Sequence, residues 1–168
     1  RWVQVNLKER TSLELVELQL HENDWYVRHA RRILQERGPD RQVHAALKRI
    51  LRDNPDVTRR LRALWALHVT EGLNDGDLTE LLTDRDEHIR SWAIQFLAED
   101  RQAPRRAVVR MATMAAEDPS PQVRMYLASA MQRLSLEQRW ETVAALAAHR
   151  EDATDHNLPL MDWYAAEP

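Results

Sequence analysis

The chain has no cysteine, so disulfides, thiolate metal sites and haem attachment through Cys-x-x-Cys-His are excluded from these 168 residues. No apolar run approaches the ~18 residues needed to span a bilayer, and a soluble segment is expected. Neither sign of charge dominates: a net charge of -3 gives no global attraction for phosphate backbones or anionic membranes. Catalytic signatures are also missing. There is no GxSxG, no glycine-rich phosphate loop, no HExxH and no Cys-His pair, so no enzymatic activity and no cofactor are expected. The seven histidines, at 21, 29, 44, 68, 88, 149 and 156, show no metal-ligand spacing. Only 3 glycines and 1 phenylalanine occur, while Ala, Leu, Arg, Glu and Gln abound, as in all-helical proteins.

What is present is periodic. Arg28, Arg62, Arg90 and Arg124 recur at intervals of 34, 28 and 34 residues, each after an aliphatic residue and before an apolar run of helical spacing. Self-similarity at that interval marks a stacked-repeat solenoid, whose extended surface suits holding other molecules. The expected architecture is an all-α solenoid of about five two-helix repeats, roughly 11–38, 39–72, 73–102, 103–134 and 135–168. Residues 1–10 lack the pattern and read as a lead-in. No domain boundary is evident.

Punctuation supports this division. Thr11 and Glu14 form a capping box, and Asn23-Asp24 caps the next helix, which Gly38 ends. Pro39 suits a first turn, Asn54-Pro55-Asp56 makes a turn and cap, and Gly72 closes the second repeat. Asp77 and Glu80 make a further capping box in a shortened third repeat, whose turn is Asp84-Arg85-Asp86. Pro104 falls in a first turn, Ser120-Pro121 caps another helix, Ser135 and Gln138 open the fifth repeat, and Asp155 caps the last helix.

A turn aspartate, an aliphatic residue, an arginine and then apolar pairs resemble the HEAT repeat. The resemblance implies that Asp24, Asp56, Asp86 and Asp118, with the four arginines, form a ladder between neighbouring repeats. Independently, an arginine fork can hold a carboxylate of one repeat and a turn carbonyl of another. The alternative role for the row is binding an anionic ligand. The strings LQLHENDWYVRHARRILQERG, RRLRALWALHVTEGL, DEHIRSWAIQFLAED, DPSPQVRMYLASAMQRL and DHNLPLMDWYAAEP together look like one particular HEAT segment. It occurs in large exported planctomycete-type proteins, called membrane-bound dehydrogenase or haem-binding proteins, between a propeller resembling sugar dehydrogenases and a cytochrome c domain. That resemblance implies a scaffold or docking module in a multidomain redox protein outside the cytoplasm. It also implies that these residues are a portion of a longer chain, whose targeting signals lie elsewhere, with protein partners and no nucleic acid. As an isolated domain a monomer is expected.

Trp65, Trp92 and Trp163 fall on apolar helix faces and are expected to fill gaps between helices, with Trp140 at a helix start and Trp2 in the lead-in. Trp25-Tyr26, beside a cap and turn, is the candidate exposed anchor. His29, Arg32, Gln95 and Gln132 are further contact candidates, on second helices whose outer positions line a concave surface. His156 or Met161 could donate an axial ligand to a neighbouring haem. Two competing readings remain: a HEAT-like nucleic-acid-binding module or DNA glycosylase, for which Arg28-Arg31-Arg32 and Arg59-Arg60-Arg62 are local basic patches, and a HEAT-like phycobilin lyase.

Overall fold

The computed structural model describes residues 5–167. Its helices are α1 (Ser12–Glu17), α2 (Asp24–Arg37), α3 (Arg41–Asp53), α4 (Val57–Val69), α5 (Asp75–Leu81), α6 (Glu87–Leu97), α7 (Arg105–Glu117), α8 (Pro121–Met131), α9 (Leu136–Leu146) and α10 (Leu158–Ala166). Short 3-10 turns lie at Leu7–Glu9, Leu18–Leu20 and Arg150–Thr154. No strand occurs among the described residues, so the protein is all-α.

The chain divides into two compact units, residues 1–74 and 75–168. The division falls between the second and third repeats read from sequence. In the first unit, hairpins α1/α2 and α3/α4 stack with α1 against α3 and α2 against α4. The second unit repeats the scheme three times: α5, α7 and α9 pack in succession, as do α6, α8 and α10. Each hairpin thus has an incomplete core until its neighbour is added, the physical basis of repeat folds.

Local chemistry explains the helix boundaries. Thr11 and Glu14 exchange bonds: Thr11 N–H donates to Glu14 Oε2 at 2.7 Å and Glu14 N–H to Thr11 Oγ1 at 3.2 Å. Asp40, Asp56, Asp86 and Ser120 each accept a first-turn N–H, satisfying donors that the helix leaves orphaned. Behind these caps run buried stripes such as Val43, Leu47 and Leu51 of α3. Each such side chain contributes roughly 1.5–3 kcal/mol on burial.

Four boundaries differ from the sequence reading. Pro39 precedes the α3 cap Asp40, and Pro104 is itself the cap position of α7, because a residue without an N–H needs no acceptor there. Helix α5 starts at Asp75, so Asp77 lies inside it and not at its N-cap position. At the end of α4 the left-handed residue is Glu71, with φ 59°, not Gly72. Gly72 serves close approach instead: a Cβ there would lie 2.7 Å from the His44 ring and 2.8 Å from a Leu67 methyl. Residues 7–10 of the lead-in are also tied down. Leu7 is buried, and Arg37 donates to the carbonyls of Lys8 and Arg10 at 3.1 and 2.8 Å. Trp2 lies outside the described residues.

Candidate functional site

The cap residue fixes where the recurring arginine projects. Four residues after Asp86 and Ser120 come Arg90 and Arg124, one helical turn in and pointing back over the repeat turn. Arg90 grips Asp118 with two bonds, Nε to Oδ2 at 2.7 Å and Nη2 to Oδ1 at 2.9 Å, while Nη1 donates to its own turn carbonyl, Asp84 O, at 2.8 Å. Arg124 repeats the arrangement with Asp152 at 2.6 and 2.5 Å and with Asp118 O at 3.1 Å. Asp118 is therefore a node: its carboxylate receives one arginine and its carbonyl the next, and the same carboxylate accepts Ser120 N–H at 3.0 Å. Both pairs are nearly dry, with Arg124 and Asp152 side chains 5% and 10% exposed. Bidentate geometry of this kind fixes the angle between hairpins.

In the first unit the pattern shifts. Arg62 reaches back to the preceding hairpin, donating to His21 O at 2.9 Å and Asp24 Oδ1 at 3.3 Å. Arg28 joins no other repeat. Its side chain is 73% exposed and pairs with Asp24 one turn away, because Asp24 is the nearest acceptor for its Nε. The residue four after the Asp56 cap is Arg60, which is buried and donates from Nε to Leu51 O at 2.6 Å. Asp56 and Asp86 accept first-turn amides of their own helices. Sequence spacing thus missed Arg60 and Asp152. The cap-to-arginine step of four identifies the first; the separation of 28 shared by Arg90–Asp118 and Arg124–Asp152 identifies the second.

A different surface lies along α2. Trp25, His29, Arg32 and Glu36 follow one another at helical spacing on the side opposite the buried Val27, Ala30 and Leu34. Trp25 is 46% exposed, and the His29 ring stacks on it with centroids 4.0 Å apart. His29 Nδ1–H donates to Trp25 O at 2.8 Å, which holds that stack in place. Tyr26 is half-buried and meets Trp25 edge-on at 5.0 Å and the His21 ring at 4.6 Å. With Val5, Lys8 and Ile33, the residues Trp25, His29, Arg32 and Glu36 border an open cleft of about 330 Å³. Arg32 is held by Glu36 at 2.8 Å. Nearby, the Arg31 guanidinium lies 5.4 Å over the Trp65 ring. Burial lowers the Arg31 pKa, Asp24 opposes this, and the Arg28 and Arg62 charges add to the lowering.

The remaining candidates are dispersed. Gln95 is half-buried on α6 and Gln132 exposed just past α8. Trp65 and Trp92 are half-buried, Trp92 against Phe96 at 5.4 Å. Trp163 is not a core residue: it is 64% exposed, since α10 is apolar on both sides and buries only one. Trp140 is 50% exposed. In the second unit, an open cleft of about 690 Å³ is bordered by Glu117, Asp118, Arg124, His149, Glu151 and Asp152. His149 bridges there, with Nδ1 on Glu151 at 2.6 Å and Nε2 on Ala115 O at 2.7 Å. Two acceptors call for two ring protons, and the Glu151 bond above all raises the His149 pKa. Among the described residues, no group of three or more His, Cys, Asp or Glu is placed to hold a metal ion, and no helix is long and apolar enough to cross a membrane. The chain matches no protein-family model and no curated protein.

Proposed function

We propose that this chain is a non-enzymatic helical-repeat scaffold of the HEAT type that docks a protein partner along α2. The observation that carries the reading is the exposed Trp25–His29 stack beside the cleft of about 330 Å³. A large aromatic held rigid by its neighbour contributes contact area at little cost in conformational entropy, as interface anchors do. The arginines there do not favour a nucleic-acid surface: Arg28 and Arg32 are each matched by a carboxylate, Asp24 and Glu36. From the resemblance to the planctomycete-type HEAT segment, the partners proposed are the dehydrogenase-like propeller and the cytochrome c domain of an exported redox protein. The test is titration of purified flanking domains against the chain and its Trp25→Ala variant. Binding weakened about thirtyfold or more by the substitution supports the reading. No binding at high micromolar concentration, or binding indifferent to Trp25, refutes docking at α2. A salt-dependent shift of duplex DNA would refute the protein-only reading.

A further inference from the structure

We infer that the cleft between the α5–α6 turn and α7 is a docking surface for an acidic peptide segment of a partner protein. This inference does not rest on the α2 reading above. The cleft, of about 370 Å³, lies wholly in the second unit. Arg85 borders it from the turn, and Arg110, Thr113 and Glu117 border it from α7. Arg106, one turn before Arg110, continues the same stripe, since positions 106, 110, 113 and 117 share one side of a helix. Arg85, Arg106 and Arg110 are exposed, and none forms an ion pair among the described residues. Elsewhere, exposed Arg10, Arg28, Arg32 and Arg52 each pair with a carboxylate.

The aspartates of the turn and the cleft are engaged with other donors. Asp118 receives Arg90 and the Ser120 N–H, Asp84 accepts Asp86 N–H at 2.9 Å, and Asp86 accepts His88 N–H at 2.9 Å. From residue 101 to residue 116 the sequence has Arg101, Arg105, Arg106 and Arg110 and no Asp or Glu. This concentration of charge costs the free protein stability. Arg106 and Arg110 are like charges one turn apart. Arg105 and Arg106 also stand in the first turn of α7, at the positive end of its dipole, with no acidic residue there. An anionic partner relieves both repulsions.

Charge and spacing select a peptide over a nucleic acid. Glu117 lies about 10 Å along the helix from Arg110, borders the same cleft and forms no ion pair among the described residues. Evenly spaced phosphates would be carried onto that carboxylate, whereas a peptide can offer carboxylates to the arginines and a lysine to Glu117. Among the described residues, no aromatic side chain borders the cleft to stack on a base. Val109, 55% exposed, follows Arg105 and Arg106 by four and three residues, so an apolar contact lies beside the guanidinium groups. The segment that fits carries acidic residues around one aliphatic side chain, with a basic residue at the Glu117 end. Arginine forks take carboxylates through two bonds, as Arg90 does with Asp118.

The test is fluorescence polarisation of the whole chain, in about 50 mM salt, with a labelled peptide Glu-Glu-Leu-Glu-Glu-Ser-Lys. A copy with glutamine for each glutamate and a single-stranded oligonucleotide of the same length are run beside it. The expected result is peptide binding tighter than about 1 mM, lost in the glutamine copy. Arg85→Glu and Arg110→Glu should each weaken it about tenfold or more. Arg133→Glu, the same charge change outside the cleft, should alter it less than about threefold. Arg106→Glu should weaken binding yet raise the urea midpoint, because it removes the repulsion with Arg110 and puts an acid in the first turn. Circular dichroism checks that each variant keeps its helix content. No binding at about 1 mM, binding indifferent to Arg85 and Arg110, or binding weakened as much by Arg133→Glu overturns the inference. So does an oligonucleotide bound more tightly than the peptide, or a midpoint lowered by Arg106→Glu.

Discussion

Replacing Arg124 by Met leaves the Asp152 carboxylate, 10% exposed, without its two charged donors. Removing one member of a buried ion pair costs about 3–5 kcal/mol, because the partner's desolvation is no longer offset. Arg124 also donates to Asp118 O, so the loss falls on the turn between α7 and α8 as well as on the junction with the following hairpin. At ~2–4 °C per kcal/mol for a chain of this size, the expected drop in Tm is roughly 6–20 °C. The control is Arg28→Ala, which removes an exposed pair one turn apart, 73% and 47% exposed, and should cost no more than about 0.5 kcal/mol. The double variant Arg124→Met with Asp152→Leu should recover most of the loss, since an apolar pair leaves no stranded charge. Urea unfolding followed by circular dichroism measures all four proteins. If Arg124→Met costs as little as Arg28→Ala, or the double variant is worse than the single, the ladder is not what holds these hairpins.

Gly72→Ala should destabilise by about 1–3 kcal/mol in urea unfolding, because the new methyl meets the His44 ring, fixed by its bond to Thr70 O at 2.9 Å. Glu71→Gly should stabilise slightly, by under about 1 kcal/mol, since it relieves a left-handed backbone at φ 59°. His149 carries a pH dependence. Its folded pKa is raised, so its contribution is complete below the unfolded value of about 6.5 and is lost as pH rises through the folded one. The urea midpoint of the protein should therefore fall from pH 6 towards pH 8.5 by more than that of His149→Gln; equal slopes would show that the bridge to Glu151 and Ala115 does not matter.

The helices and their caps were legible because each rests on local chemistry. Thr11 with Glu14, Asn23, Asp56, Asp86 and Ser120 all act where the sequence put them. The ladder was legible only in part. The aliphatic residue that precedes the arginine in the other repeats selected Arg62, which follows Leu61, over the buried Arg60, which follows Arg59. Asp152 was invisible because it lies in a 3-10 turn, Arg150–Thr154, instead of directly before the second helix of its repeat as Asp56 and Asp86 do. Trp25 was marked as exposed by its place beside a cap, and the structure adds the His29 stack that orders it. Trp163 was misjudged because apolar periodicity says which residues avoid water but not whether a neighbour exists to cover them.

Native-state hydrogen exchange of Asp118→Ala tests most directly the claim that neighbouring hairpins are held through shared guanidinium grips. Asp118 receives Arg90 from one hairpin and passes its carbonyl to Arg124 in its own. Loss of protection should therefore spread through α6, α7 and α8 together. Loss confined to the amides of residues 117–120 would contradict the account.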